Sequence, residues 1–140
     1  MHIFIIAVLC NYPWELAQAP LYVGMEDSRT ALWHCFVASL GDGLMVLGIV
    51  ASGGIILRRP AWFVRPGAQG IIVMLMVGLV LGVTVEWVAV RVLQRWAYTA
   101  RMPRVPGLDV GLVPVAQMLI LPPLILRLVA LWRGRTAASA

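Results

Sequence analysis

Four apolar stretches, residues 3–24, 31–57, 70–93 and 108–132, fill almost all of this 140-residue chain. Each can cross a hydrocarbon core of about 30 Å, which takes about 20 helical residues. The segments between them are short, so the sequence predicts one all-α domain over residues 1–140, an integral membrane four-helix bundle. Composition agrees: 61% of residues are hydrophobic and 12% are charged. A water-soluble domain carries about 25% charged residues.

The basic side chains, histidines aside, are all arginine, 11 of them. In a membrane chain these contact lipid phosphates and set topology. Arg58, Arg59, Arg65, Arg127, Arg133 and Arg135 fall on the side of both termini; Arg29, Arg91, Arg95, Arg101 and Arg104 fall on the other. That bias predicts a multi-pass protein of the inner (plasma) membrane with cytoplasmic N- and C-termini. No basic patch interleaved with aromatics lies outside the helices, which argues against nucleic acid as a partner. Ala17-Gln18-Ala19 mimics a signal-peptide cleavage site. The stretch before it lacks Lys and Arg, Glu15 interrupts it, and Pro20 follows the cut, so the first helix is expected to be retained.

Three of the six carboxylates, Glu15, Asp42 and Glu86, lie deep inside apolar stretches. An acid at the centre of a membrane helix costs roughly 2.5 to 3.5 kcal/mol. At a rise of about 1.5 Å per residue, Glu15, Asp42, Glu86 and Gln117 lie about 15, 16, 11 and 14 Å from the helix ends on the side of the first and third loops. The four helices therefore place a polar residue each at similar depth. Asn11, Glu15, Gln18 and Tyr22 recur on one helical face, as do Cys35, Ser39 and Asp42. Gly78, Gly82 and Glu86 step by four; the GxxxG pattern permits close backbone approach and would turn Glu86 inward. Pro114 precedes Gln117, and Pro122-Pro123 follow it, freeing backbone carbonyls in the fourth helix.

The loops carry their own signals. Asp27 or Ser28 can cap the second helix. The second loop, with Arg58, Arg59, Trp62, Phe63 and Arg65, suits a headgroup-level linker. The third, residues 95–107, is aromatic and basic, and its prolines and Gly107 forbid a continuous helix. The tail after Trp132 ends in small residues that predict disorder. Cys10 and Cys35 have no CxxC partner and read as buried thiols. His34 and Cys35 point about 100° apart on a helix, and the two histidines fall at opposite faces. No metal site or cofactor is therefore expected, and no nucleophile triad or phosphate loop is present.

General acid chemistry is better supplied. A carboxyl in a dry pocket can protonate an alkene or polarise a carbonyl. Glu86 and Glu15 are the candidate catalytic acids, with Asp42 and Gln117 orienting them. Asn11, Gln18, Tyr22, Trp14, Trp87, Trp96 and Tyr98 complete the candidate pocket, where tryptophan faces can stabilise a developing cation. Arg91, Arg95, Arg101 and Arg104 form a candidate grip on a phosphate or carboxylate headgroup.

The run Glu86-Trp87-Val88-Ala89-Val90, then Arg95-Trp96-Ala97-Tyr98, a Pro/Gly loop, and Gly111 through Pro114-Val115-Ala116-Gln117 resembles the membrane-embedded lycopene cyclase domain and related carotenoid hydratases. Where that family carries Pro-x-Glu-Glu, this chain has Pro114-Val115-Ala116-Gln117; by the resemblance Glu86 is the one acid retained. Trp14-Glu15, Pro20-Leu21-Tyr22, Trp33-His34-Cys35, Ser39-Leu40-Gly41-Asp42, Arg95-Trp96, Tyr98 and Met102-Pro103 also resemble signatures of small, uncharacterised bacterial four-helix inner-membrane proteins.

Two functional classes lead, and metal handling by His34 and Cys35 is a third. In the first, an intramembrane polar pocket binds or modifies a lipid-soluble, isoprenoid-like molecule by acid catalysis. In the second, the chain is a non-enzymatic membrane subunit or small carrier whose carboxylates join helices or relay protons. The lipid bilayer is a partner in both, and the thin bundle leaves room for a homodimer or a membrane partner.

Overall fold

The computed structural model describes residues 2–138, with side chains to residue 132. It is helical: α1 (His2–Gln18), α2 (Ser28–Ile56), α3 (Gly67–Trp87) and α4 (Leu112–Ala138). No strand forms among the described residues. Three segments, Ser28–Ile56, Gly67–Val92 and Leu112–Trp132, are long and apolar enough to cross a membrane. The first helix is shorter than its apolar stretch. Pro20 ends the α-helix in a 3-10 turn over Ala19–Leu21, and Gly24 turns the chain with φ of 83°. At 17 residues, α1 is about 26 Å long. The fourth helix starts at Leu112, four residues later than expected, because residues 105–110 close a tight turn. It then runs past Trp132 to Ala138, through the tail expected to be disordered. Ser139 and Ala140, and the side chains of Arg133 and Arg135, lie outside the described residues.

α1 packs on α2 and α4, and α3 packs on α4 and α2. The outer faces stay apolar: Leu9, Leu44, Ile55, Ile72, Val80 and Leu131 are all exposed. The buried face carries Asn11, Gln18, Ser39, Asp42, Glu86 and Gln117. Beneath that polar face, Ala7, Val46, Leu121 and Ile125 form an apolar cluster. A second cluster, toward the second loop, centres on Ile49, Trp62, Phe63, Met74, Leu126 and Val129.

Glycine decides two of the helix contacts. The GxxxG face of α3 meets α4: a methyl on Gly78 would run into the Met118 carbonyl oxygen, and one on Gly82 would press on the Met118 side chain. Pro122 lies inside α4 and has no N–H, so that same Met118 carbonyl lacks its helical partner. Close approach at Gly78 lets α3 cover it. Gly53 and Gly70 likewise leave room for the Trp62 ring. The second loop therefore does not hold its aromatics at the surface as its composition suggested. Trp62 is fully buried, and its Nε1 donates to the Val50 carbonyl at 3.0 Å.

The α2 start is built as expected. The Asp27 carboxylate accepts from the Thr30 N–H and hydroxyl, both at 2.8 Å. Those donors hold the Asp27 carboxyl below its ordinary range.

Overpacking a helix contact of this kind costs about 1 to 3 kcal/mol. Gly78→Val should therefore lower the thermal unfolding midpoint in detergent. Gly41→Ala, where a methyl meets nothing within 4 Å, should raise it or leave it unchanged.

Candidate functional site

Pro13, Pro20 and the turn at Gly24 orient α1 so that Asn11, Glu15 and Gln18 face α2 and α4. Gln117 stands opposite them, fully buried. Its Nε2 donates to Asn11 Oδ1 at 2.8 Å and to Asp42 Oδ2 at 2.9 Å. Its Oε1 accepts from Gln18 Nε2 at 3.0 Å. Gln18 Nε2 also donates to Glu15 Oε1 at 2.6 Å. The Glu15 carboxyl lies near Asp42 and Gln117. One side chain of α4 thus collects polar groups from α1 and α2. Cys35, Ser39 and Asp42 share a buried face as their spacing predicted, and Ser39 donates to the Cys35 carbonyl at 2.7 Å.

Glu86 does not hydrogen-bond to this group. It is buried at the end of α3. Its Oε1 accepts from the Tyr22 hydroxyl at 3.0 Å, and its Oε2 from the Trp96 Nε1 at 2.9 Å. Depth alone suggested one layer; the structure holds two adjoining ones. The difference arises because α1 and α3 share no extended contact, while the loops reach across between them. Val23 N–H donates to the Ala97 carbonyl and Thr99 N–H to the Leu21 carbonyl, both at 2.9 Å. These bonds pair Tyr22 with Tyr98 and bring the first loop onto the third. Tyr98 accepts at its hydroxyl from the Gly111 N–H at 2.9 Å. Burial, offset by that N–H, pushes the Tyr98 phenol up to about 12.

Beyond Trp87 the helix widens into a π-turn over Val88–Val92, and the chain then enters the third loop. There Asp109 pairs with Arg91, and with Arg104 at 2.6 Å. A cavity of about 450 Å³ opens here, lined in part by Arg91, Gln94, Trp96, Tyr98, Arg104 and Asp109.

The candidate residues thus divide. Asn11, Glu15, Gln18, Asp42 and Gln117 meet in one group, and Tyr22, Glu86, Trp96 and Tyr98 in another. Trp87 belongs to neither and is 45% exposed; successive helical residues point about 100° apart, so burying Glu86 turns it out. Trp14 packs on the apolar cluster of Ala7 and Val46, and its buried Nε1 has no partner. Arg91 and Arg104 line the cavity; Arg95 lies in a neighbouring groove, and Arg101 lines neither. Sequence reasoning missed Asp109 and Gln94. Asp109 had a signal, as the one acid close to a loop that carries Arg95, Arg101 and Arg104. Among the described residues, no three His, Cys, Asp or Glu side chains gather as metal ligands.

No protein-family model matches the chain, and neither does a curated protein or a solved structure.

Removing Gln117 strands several buried groups at once, each costing about 1 to 3 kcal/mol. Gln117→Leu should cost at least about 3 kcal/mol in reversible unfolding in detergent. A loss below about 1 kcal/mol would mean that Asn11, Asp42 and Gln18 find other partners.

Proposed function

We propose that the chain is an integral inner-membrane protein with cytoplasmic termini. Its four helices form a bundle, and it binds a lipid-soluble, isoprenoid-like molecule beside Glu86, at the level of the third loop. The observation that carries this reading is the tie from Glu86 to Trp96. A buried acid orients the indole, and the indole forms a wall of the 450 Å³ cavity. The volume falls within the range of about 300 to 1,000 Å³ common to ligand sites. Apolar outer faces and polar inner faces suit a lipid surround, where unpaired polar groups are costly.

Glu86 is the candidate acid for any chemistry on the bound molecule. Both its oxygens already accept hydrogen bonds, so in the resting arrangement it is a positioning residue for Tyr22 and Trp96. Acid catalysis at Glu86 requires Trp96 to release Oε2. Glu15 is further removed, because Gln18, Asp42 and Gln117 surround its carboxyl.

A second reading is favoured by that enclosure. The group around Gln117 satisfies itself almost completely, as a helix-joining or proton-holding element of a membrane subunit or small carrier would. The two readings are compatible in one molecule, since they use different residues.

The test is mass spectrometry of organic extracts from protein purified in mild detergent. Wild type should carry a near-stoichiometric apolar or amphiphilic molecule, and Trp96→Ala should lose about nine-tenths of it while still unfolding cooperatively, its midpoint lowered by the lost bond to Glu86. Bulk phospholipid alone, in equal amounts from both proteins, would refute ligand binding and leave the joining role.

A further inference from the structure

Two pockets have Trp96 in their lining. The 450 Å³ cavity is polar and holds Arg91, Arg104 and Asp109. The other, about 340 Å³, is a groove along Val85, Val88, Ala89 and Leu93, with Arg95 as its one charged residue. Trp96 lines both, so a polar space and an apolar space adjoin one residue. That pairing suits a molecule with a polar end and an apolar end.

The backbone around the polar space is unusual at three points. Arg91 sits in the π-turn Val88–Val92, a geometry often found at functional sites. Gln94 and Asp109 are non-glycine residues in the left-handed region, with φ of 49° and 53°, and both line this cavity. Strain of this kind concentrates at ligand sites.

Charge indicates which end goes where. Asp109 takes one contact from Arg91 and one from Arg104. A guanidinium has five N–H donors, so most remain free. Two arginines against one carboxylate leave the cluster cationic, and both arginines are about half-exposed to an incoming group. A phosphate or carboxylate bridging them gains charge-assisted bonds from a planar, bidentate donor. Asp109 then acts as an internal stand-in for that anion, competing with it for the two arginines.

We propose that this composite site takes a membrane lipid with an anionic headgroup, the head between Arg91 and Arg104 and a chain along the Val88–Leu93 groove. The proposal rests on the lipid-binding reading above and adds the headgroup charge and the residues that select it.

Native mass spectrometry of the full chain in mild detergent tests it with three probes: phosphatidylglycerol, phosphatidylcholine with the same chains, and soluble glycerol phosphate. Wild type should retain phosphatidylglycerol about tenfold better than phosphatidylcholine, the worth of one charge-assisted hydrogen bond. The double variant Arg91→Gln/Arg104→Gln should lose that preference yet keep its phosphatidylcholine binding. Val88→Trp should reduce retention of both lipids. Asp109→Asn preserves a residue that tolerates the left-handed conformation, and by removing the stand-in it should raise phosphatidylglycerol retention. A merely structural ion cluster would lower it. Equal retention of both lipids by wild type would overturn the headgroup assignment while leaving lipid binding intact. So would a preference that survives the double variant, or a fall in Asp109→Asn. Glycerol phosphate bound as tightly as the lipid would overturn the membrane source. Retention of neither lipid would overturn this proposal, while the isoprenoid-like reading beneath it stands or falls on the organic extracts.

Discussion

The Gln117 side chain is the interaction on which the arrangement depends. A primary amide offers two donor hydrogens and an acceptor oxygen in fixed directions. Here Asn11 and Asp42 take the donors and Gln18 supplies the acceptor's partner. A carboxylate at this position could accept but could not donate to Asp42. With Gln117 in place, polar groups from α1 and α2 converge on α4 without leaving a charge alone. The helices contribute little discrimination of their own, since their outer and inner faces are both largely apolar. Hydrogen bonds that close only in one register supply it instead.

Packing and polarity then cooperate. Gly78 and Gly82 bring α3 against α4 at Met118, one residue from Gln117. That contact sets the height of α3 and so places Glu86 at its end, beside the loops. Glu86 in turn fixes Tyr22 from the first loop and Trp96 from the third. The loops are pinned at one end by a buried acid and at the other by the Asp109 ion cluster. The cavity lies between these anchors. The proposed ligand site thus falls at the rim of the helices, away from the group around Gln117.

Much of this was legible from residue spacing. Asn11, Glu15 and Gln18 face inward because they recur at helical intervals, and Gly78, Gly82 and Glu86 do so for the same reason. The separation of Glu86 from Glu15 was not legible. Depth along a helix axis follows from counting residues, but which helices touch does not, and α1 and α3 are each seated on α2 and α4. The burial of Trp62 was hidden for a related reason: the room for its ring comes from Gly53 and Gly70, on two different helices. Trp87 was misplaced by its adjacency to Glu86, although helical geometry already turns neighbours apart. Asp109 pairs across a turn that only the folded loop closes.

The central claim is that the apolar outer faces meet lipid while the polar groups close on one another inside. The most direct measurement is a nitroxide scan along α3 in reconstituted bilayers, on a background with Cys10 and Cys35 replaced by Ala, comparing collision with oxygen and with a water-soluble nickel chelate. The account predicts high oxygen and low chelate accessibility at Ile72, Met76 and Val80, and low accessibility to both at Met74. Chelate accessibility at Ile72 and Val80 as high as at a water-exposed loop position would contradict it.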